Sequence, residues 1–273
     1  MSTDLELQFA GKTDTGLVRA QNEDAIAIHP AHGFVVLADG MGGYNAGEVA
    51  SSMATAVISE RLSQGLDTLR QNRDAAQRHK QLHQLMDDAL QDANKAILAA
   101  ARAEPQYEGM GTTVVAAVFH PDGLTVAHVG DSRAYRFRRG ELAQITRDHS
   151  LLQEQIDAGL LDPALARFSQ SKNLVTRAVG VGAAMEVEIH DHPVQAGDVY
   201  LLCSDGLSDM LQDAEIAAVL ARAPAVLDAA CDTLVQKANG NGGLDNISVV
   251  LARVQAGGGQ ASGLLHRILN WVS

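Results

Sequence analysis

The chain has 273 residues, of which 46% are hydrophobic and 20% charged, a composition that is ordinary for a globular protein with a sizeable core. Its 21 basic and 33 acidic residues give a formal net charge of -12. This charge argues against a general nucleic-acid binder, because phosphate backbones attract basic surfaces. The N-terminal segment has no signal-peptide pattern, and no apolar run is long enough for a transmembrane segment, so we expect a cytoplasmic protein.

Apolar runs and alternating patterns predict many strands, with helices between groups of them. The short segments HPDG before Leu124 and RRGE around Gly140 predict hairpin turns, and therefore antiparallel pairing. Strands come in runs and helices in pairs, which favours an α+β fold of antiparallel sheets faced by helices over a doubly wound fold. The predicted strands are 5–10, 25–29, 34–38, 112–119, 124–129, 134–138, 142–145, 187–190, 199–203 and 247–254, and the predicted helices are 47–65, 80–104, 213–223 and 224–240.

Two segments depart from this pattern. Residues 149–186 interrupt the strand series with a mixed, polar-rich stretch, and we interpret them as a candidate flap within a catalytic domain of residues 1–254. Residues 255–273 combine a glycine-containing linker with a short amphipathic helix. That helix either docks on its own domain or binds a partner. Cys203 and Cys231 have no partner at metal-ligand spacing and are expected to be buried thiols.

Four aspartates each stand at the edge of a strongly apolar strand. Asp39 follows FVVLA, Asp131 follows TVAHVG, Asp205 follows VYLLCS, and Asp245 precedes NISVVLARV. Taken singly, each residue could be a turn residue or a helix N-cap. If the strand ends lie side by side, however, the carboxylates converge and require cations between them. Ligands with oxygen atoms only favour Mg or Mn over zinc.

Two such ions can share a bridging water, lower its pKa and clamp a phosphoryl group, so the hydrolysis of a phosphate ester is the expected chemistry. An arginine is then needed for the nonbridging phosphate oxygens, because its planar fork binds phosphate bidentately. Arg19 is the candidate, and it precedes an acidic pair, Glu23 and Asp24. A surface salt bridge is the alternative role for this arginine.

Seven motifs in order across residues 5–254 closely resemble the metal-dependent Ser/Thr protein phosphatases of type 2C, in their bacterial stand-alone form. The resemblance implies a sandwich of two antiparallel sheets flanked by pairs of helices, with a dinuclear Mg or Mn centre in a cleft at one end. The motifs are VRAQNEDA, VLADGMGGYNAGEVAS, GMGTTVVAAV, VAHVGDSRAYRFRRGELAQITRDHS, NLVTRAVG, LLCSDGLSDML and DNISVVL.

The same resemblance assigns metal ligands. Asp39 matches the carboxylate that bridges both ions, and Gly40 offers its backbone carbonyl to one of them. Asp205 and Asp245 match ligands of the other ion. Asp131 matches the aspartate that, together with Asp205, holds a third and weaker ion.

Further roles follow from the resemblance. Arg19 matches the phosphate-binding arginine, and Asp24, next to Glu23, would hydrogen-bond to metal-bound water. Residues 111–113 resemble a structural turn near the site, and the flap is thought to touch protein substrates. Met41 stands where many eukaryotic relatives have histidine, so no side chain is assigned as general acid, and a metal-bound water is the substitute.

The leading hypothesis is a monomeric phosphatase that hydrolyses phosphoserine or phosphothreonine with water as the nucleophile. Its partners would be phosphoproteins, including a Ser/Thr protein kinase and the substrates of that kinase. A catalytically silent phosphoprotein scaffold and a small-molecule or nucleotide phosphohydrolase are the alternatives. His190 and His192 could bind a metal if they face one way on a strand, although uninvolved surface histidines are the simpler interpretation.

Overall fold

The fold is a sandwich of two antiparallel β-sheets with helices on both outer faces, as the sequence predicts. The computed structural model describes residues 5–43, 45–70, 72, 74–162, 174–222 and 226–256. Each of the ten predicted strands is present. None of the helices in these ranges combines the length and the apolar character that crossing a membrane requires.

The first sheet has six strands in the order β2-β3-β5-β6-β9, with the two-residue β4 paired to the far end of β3. The hairpin between β5 and β6 closes where HPDG predicts it. Its strands are β2 (Asp24–His29), β3 (Phe34–Met41), β4 (Gly111–Thr112), β5 (Val114–His120), β6 (Gly123–Val129) and β9 (Glu188–His192).

The second sheet has five strands in the order β1-β11-β10-β7-β8. The turn around Gly140 joins β7 to β8, and this glycine has a φ of 89°, a backbone conformation that costs glycine little. The strands are β1 (Leu5–Asp14), β7 (Arg133–Arg138), β8 (Glu141–Gln144), β10 (Val199–Cys203) and β11 (Ile247–Ala256).

The two sheets meet in an apolar layer that is fully or almost fully buried. Leu37 and Val115 enter it from the six-stranded sheet, and Tyr200, Leu202 and Val250 enter it from the five-stranded sheet. Each of these residues belongs to a strand in which successive side chains point to opposite faces, so its neighbours pack against the helices instead. This layer fixes the separation of the sheets.

Helices cover both outer faces. The six-stranded sheet is covered by α1 (Ala46–Leu69) and α2 (Ala75–Ala103), which pack against each other, and Asp74 caps α2 by accepting a hydrogen bond from the backbone N–H of Gln77. The five-stranded sheet is covered by α5 (Asp213–Ala221) and α6 (Leu227–Gly240). Two shorter helices, α3 (Leu151–Asp157) and α4 (Asp205–Ser208), were not predicted.

Several predicted boundaries need correction. The predicted strand 112–119 is divided at Thr113 into β4 and β5. Strand β11 continues through Ala256, two residues beyond its predicted end at 254, because its last residues still pair with the start of β1. The predicted C-terminal helix lies outside the described residues. Cys203 and Cys231 are buried free thiols, as predicted.

The described parts of the 149–186 segment are tied to the rest of the domain at their base. Ser150 forms an isolated β-bridge with Val175, and Thr112 forms another with Val179. Helix α3 begins at the first of these bridges, and Ser150 caps it by accepting a hydrogen bond from the backbone N–H of Gln153. These described parts therefore lie next to the end of β3.

Candidate active site

Most of the predicted carboxylates line one cleft. It has a volume of about 230 Å³ and opens at the end of the sandwich where β3, β6 and β10 finish and β2 and β11 begin. Both sheets contribute to it, so residues far apart in the sequence meet there. The lining includes all but one of the residues predicted to bind metal, phosphate or metal-bound water, namely Arg19, Glu23, Asp39, Gly40, Asp131, Asp205 and Asp245.

The remaining one, Asp24, lies beside the cleft. In the register of β2 and β3 it stands directly opposite Asp39. Its Oδ2 atom accepts a hydrogen bond of 2.8 Å from the hydroxyl of Ser204, which the sequence analysis did not single out. Its Oδ1 atom is buried and accepts no hydrogen bond from the described residues. A buried carboxylate oxygen in this state needs water or a cation as a partner.

Burial and mutual repulsion raise the pKa values of the clustered carboxyl groups. Burial, followed by the charges of Asp24 and Asp205, holds the pKa of Asp39 well above its ordinary value. Burial and the charge of Asp131 raise the pKa of Asp205 to about 8. Burial also raises the pKa of Asp24 to about 6. Such a cluster cannot be fully ionised at neutral pH without positive charge between its members.

The donor set fits hard divalent cations. Every charged ligand atom offered by the cleft lining is a carboxylate oxygen, and no lining residue is a histidine or a cysteine. Carboxylate and carbonyl oxygens suit Mg and Mn, whereas zinc sites usually include nitrogen or sulfur ligands. The aspartates at the strand ends predict the same ligand chemistry from the sequence alone.

Gly40 allows the cleft to form next to the start of α1. A Cβ atom at this position would lie 2.1 Å from the backbone oxygen of Gly47 and 2.6 Å from that of Glu23. The amide of Gly40 also donates a hydrogen bond of 3.1 Å to the Glu23 carbonyl. The backbone of β3 therefore approaches two other chain segments more closely than any side chain would permit.

The backbone of Asp39 is fixed by the threonines of the predicted structural turn. The carbonyl of Asp39 accepts hydrogen bonds of 2.8 Å from both the Thr112 hydroxyl and the Thr113 amide, and its own amide donates to the Thr113 hydroxyl at 3.2 Å. The Thr113 hydroxyl also lies 2.7 Å from that of Ser132, next to Asp131. This turn connects two of the carboxylate positions.

Arg19 reaches the cleft from its rim. One of its terminal nitrogens donates a hydrogen bond of 2.6 Å to Asp245 Oδ2, and half of its side chain is exposed. The salt bridge that the sequence left as an alternative role therefore exists, but its partner is a cleft carboxylate and not a surface residue elsewhere. A guanidinium in this position faces any anion that enters.

Asn246 organises the loop that carries Arg19, and the sequence analysis assigned it no role. It is almost fully buried. Its Oδ1 atom accepts a hydrogen bond of 2.8 Å from the amide of Glu23, and its Nδ2 atom donates at 2.9 Å to the carbonyls of both Thr15 and Gln21. The only sequence signal was its position directly after Asp245.

The other side of the cleft is formed by Met41 and by Val175 from the candidate flap. Met41 lines the cleft at the position after Gly40. His190 Nε2 contacts Glu188 at 2.6 Å. Neither His190 nor His192 belongs to a group of three or more possible metal ligands among the described residues.

Comparisons with known proteins agree with this geometry. The family model described as "Protein phosphatase 2C" matches residues 18–241. The Mycobacterium tuberculosis protein "Serine/threonine protein phosphatase PstP" is 40% identical over 250 residues, which cover 92% of this chain but 45% of that protein. The chain thus corresponds to about half the length of this relative. "Serine/threonine phosphatase stp" of Listeria innocua is 36% identical over 243 residues, covering 88% of this chain and 93% of the relative.

Solved structures show the same architecture. A crystal structure of the M. tuberculosis serine/threonine phosphatase PstP/Ppp superimposes with a TM-score of 0.80 at 37% identity, covering 91% of this chain and 99% of that one. The catalytic domain of PstP in complex with two manganese ions superimposes with a TM-score of 0.77 at 37% identity, covering 92% and 99% of the two chains.

Proposed function

The chain belongs to the protein phosphatase 2C family, and on that basis we propose that it hydrolyses phosphoserine and phosphothreonine in protein substrates, with two divalent cations bound in the carboxylate cleft. The observation that carries this proposal is the convergence of Asp39, Asp205 and Asp245 with Arg19 in one cleft. The names of the relatives support protein substrates in particular. The kinase that phosphorylates these substrates would itself be among them.

The ligands follow from the donor set. Asp39, the carbonyl of Gly40, Asp205 and Asp245 would hold the two ions. Asp131 and Asp205 would hold a third and weaker ion. Mg or Mn is the expected metal because the donors are oxygen atoms. When bound, the pair would neutralise the carboxylates, lower the pKa of water in the cleft and polarise the phosphoryl group.

The side chains of this protein then bind and orient the reactants. Arg19 is half-exposed at the rim and would bind nonbridging phosphate oxygens through its planar fork. Asp24 Oδ1, which accepts no hydrogen bond within the described residues, would accept one from water and so orient it toward the phosphorus atom. Asn246 holds the loop between these two groups in place. Water attacks directly, and no covalent phosphoenzyme is formed.

The flap would contact the protein part of the substrate. Val175 lines the cleft, and large apolar side chains of the same segment are exposed: Leu160 by 78%, Leu174 by 55% and Val181 by 63%. Exposed apolar residues beside an active site are suited to contact the residues that flank a phosphorylated side chain. Residues 5–256 contain every group named in this mechanism, so we expect residues 257–273 to be dispensable for catalysis.

The test is hydrolysis of a phosphothreonine peptide with Mn, Mg, Ca or EDTA present. Activity should require Mn or Mg, and it should fall at least about hundredfold in Asp39→Asn and Asp245→Asn, since each removes a charged ligand. Asp67→Asn removes an exposed carboxylate of α1 and should behave as wild type. Phosphopeptide binding without turnover by the metal-loaded wild type would instead identify a scaffold. Preferential hydrolysis of nucleotides would identify a small-molecule phosphohydrolase.

A further inference from the structure

A second group of possible metal ligands joins α2 to β9. His79 Nε2 lies 2.9 Å and His83 Nε2 lies 2.7 Å from the same oxygen, Oδ2 of Asp191. The two histidines are one helical turn apart, so they project from the same face of α2, and their ring centres are 4.6 Å apart. All three ligand atoms lie within 4.8 Å of one another.

The carboxylate of this group is held in one orientation from behind. Asp191 stands opposite Thr125 in the register of β9 and β6, and its Oδ1 atom accepts a hydrogen bond of 2.6 Å from the Thr125 hydroxyl. Thr125 is fully buried and lies 3.1 Å from His120 Nε2. Hydrogen bonds of this kind orient the ligands in known metal sites, where they leave the second carboxylate oxygen free for the ion.

The charge of the carboxylate also suits this role. Although burial opposes it, the hydrogen bond from Thr125 and the charge of His83 lower the pKa of the Asp191 carboxyl group. A carboxyl group is ionised at neutral pH at its ordinary pKa, as a metal ligand must be. The nearby cation Arg78 is paired with Asp122, which limits its repulsion of an incoming ion.

This group is separate from the catalytic cleft. Phe34, Val118, Thr125 and Asp191 form one row of paired residues across the six-stranded sheet. Asp39 lies five residues further along β3 than Phe34, so the row is about 16 Å from the carboxylate end of the sheet at about 3.3 Å per residue. An ion here would share no ligand with the cleft.

We propose that His79, His83 and Asp191 form a binding site for a zinc-class divalent cation that connects α2 to β9. Two imidazole nitrogens and one carboxylate oxygen are a set that zinc, nickel and copper prefer, in contrast to the oxygen-only cleft. The side chains of His79 and His83 are 43% and 33% exposed, so the ion can enter from solvent and keep a water ligand. The proposal does not depend on the phosphatase activity.

The other group with suitable residues, His128, His149 and Glu188, is a weaker candidate. His149 already accepts a hydrogen bond from the amide of Gly130 through Nδ1 and contacts Glu188 through Nε2 at 3.0 Å. His128 is fully buried, and its Nε2 atom donates to the Arg147 carbonyl. The Nδ1 atom of His128 has no partner among the described residues. Both histidines are buried, however, so an ion would reach this group less readily from solvent than it would reach His79 and His83.

The experiment is a titration of chelator-stripped protein with Zn²⁺ by calorimetry in excess Mg²⁺, which occupies the oxygen-only cleft. Wild type should bind one Zn²⁺ per chain, and Co²⁺ in its place should give the visible absorption bands of a nitrogen-ligated ion. The double variant H79Q/H83Q should bind at least about a hundredfold more weakly. Removing a residue that only hydrogen-bonds to a metal ligand already lowers metal affinity by up to about a hundredfold, and this variant removes two ligands. Circular dichroism would check that the fold is retained.

His32→Gln is the matched control, because it removes a histidine paired to a different carboxylate, Asp67, and belongs to neither ligand group. It should bind Zn²⁺ as wild type does. A hundredfold excess of Zn²⁺ over its Kd should raise the Tm of wild type by about 5 °C, and should not raise that of H79Q/H83Q. Equal Zn²⁺ binding by wild type and H79Q/H83Q, no binding by wild type, or loss of the ion in Asp39→Asn would each overturn the proposal.

Discussion

Asp131 should destabilise the metal-free protein at neutral pH, and Asp131→Asn should reveal by how much. Burial, followed by the charge of Asp148, raises the pKa of Asp131 from 3.8 to about 6. A difference of about 2 pH units between the unfolded and native pKa corresponds to about 3 kcal/mol of unfolding free energy. Because the native pKa is the higher one, the native state binds the proton more tightly. The stabilisation is complete below pH 3.8 and is lost as the pH rises through about 6.

The neutral asparagine does not titrate, so the difference between the two proteins should depend on pH. In EDTA at about pH 8, Asp131→Asn should be up to about 3 kcal/mol more stable than wild type, and at about pH 4 this advantage should almost disappear. Urea unfolding across this range measures it. Asp148 and Arg133 remain paired in both proteins, which makes the comparison local.

Adding excess Mg²⁺ should shrink the advantage of Asp131→Asn at pH 8, because a cation favours the ionised carboxylate. A stability difference that is the same at both pH values would refute the reasoning, since it would show that ionisation of Asp131 does not lower the free energy of unfolding. Asp232→Asn is a suitable control, because Asp232 does not line the cleft and is half-exposed in its pair with Lys12.

Three further predictions follow from the site. Arg19→Ala should raise the KM for a phosphopeptide more than it weakens metal binding, and a collapse of metal affinity at unchanged KM would contradict the assigned role. Asn246→Ala should cost about 3 kcal/mol in urea unfolding, because it leaves the Glu23 amide and two carbonyls without partners, whereas Asn241→Ala, at an exposed position with one such bond, should cost less than about 1 kcal/mol. Truncation after Ala256 should leave kcat and Tm nearly unchanged, and a large fall in Tm would show that the removed residues belong to the core.

The strands and the cleft carboxylates were predictable because their signals are local. An apolar run that ends in aspartate is visible in any window of the sequence, and the hairpin turns set the pairing of neighbouring strands. The break at Thr113 was not visible, because Val114 and its neighbours are as apolar as the residues of an unbroken strand. That break exists because Thr113 turns to hold Asp39, a tertiary contact.

The residues that hold the site residues in place could not be predicted either, because they act through tertiary contacts. Ser204 contacts Asp24 across 180 positions of sequence, and Asn246 contacts Glu23 across 223. Serine and asparagine are common in loops, so their types alone do not distinguish these roles. The group at Asp191 is similar. Asp191 lies between His190 and His192 in the sequence, but it contacts His79 and His83, which reach it because α2 packs over the sheet.

The cleft takes Asp39 from the six-stranded sheet and takes Asp205 and Asp245 from positions next to strands of the five-stranded sheet, so cations there would connect the two halves of the sandwich. Their affinity then depends on how far apart the apolar layer holds the sheets. A smaller side chain at Leu37 or Tyr200, neither of which is a ligand, would let the halves approach or slide. Metal affinity in this protein should therefore respond to packing changes throughout the layer between the sheets, and a measured change in affinity would report a change in the separation of the sheets.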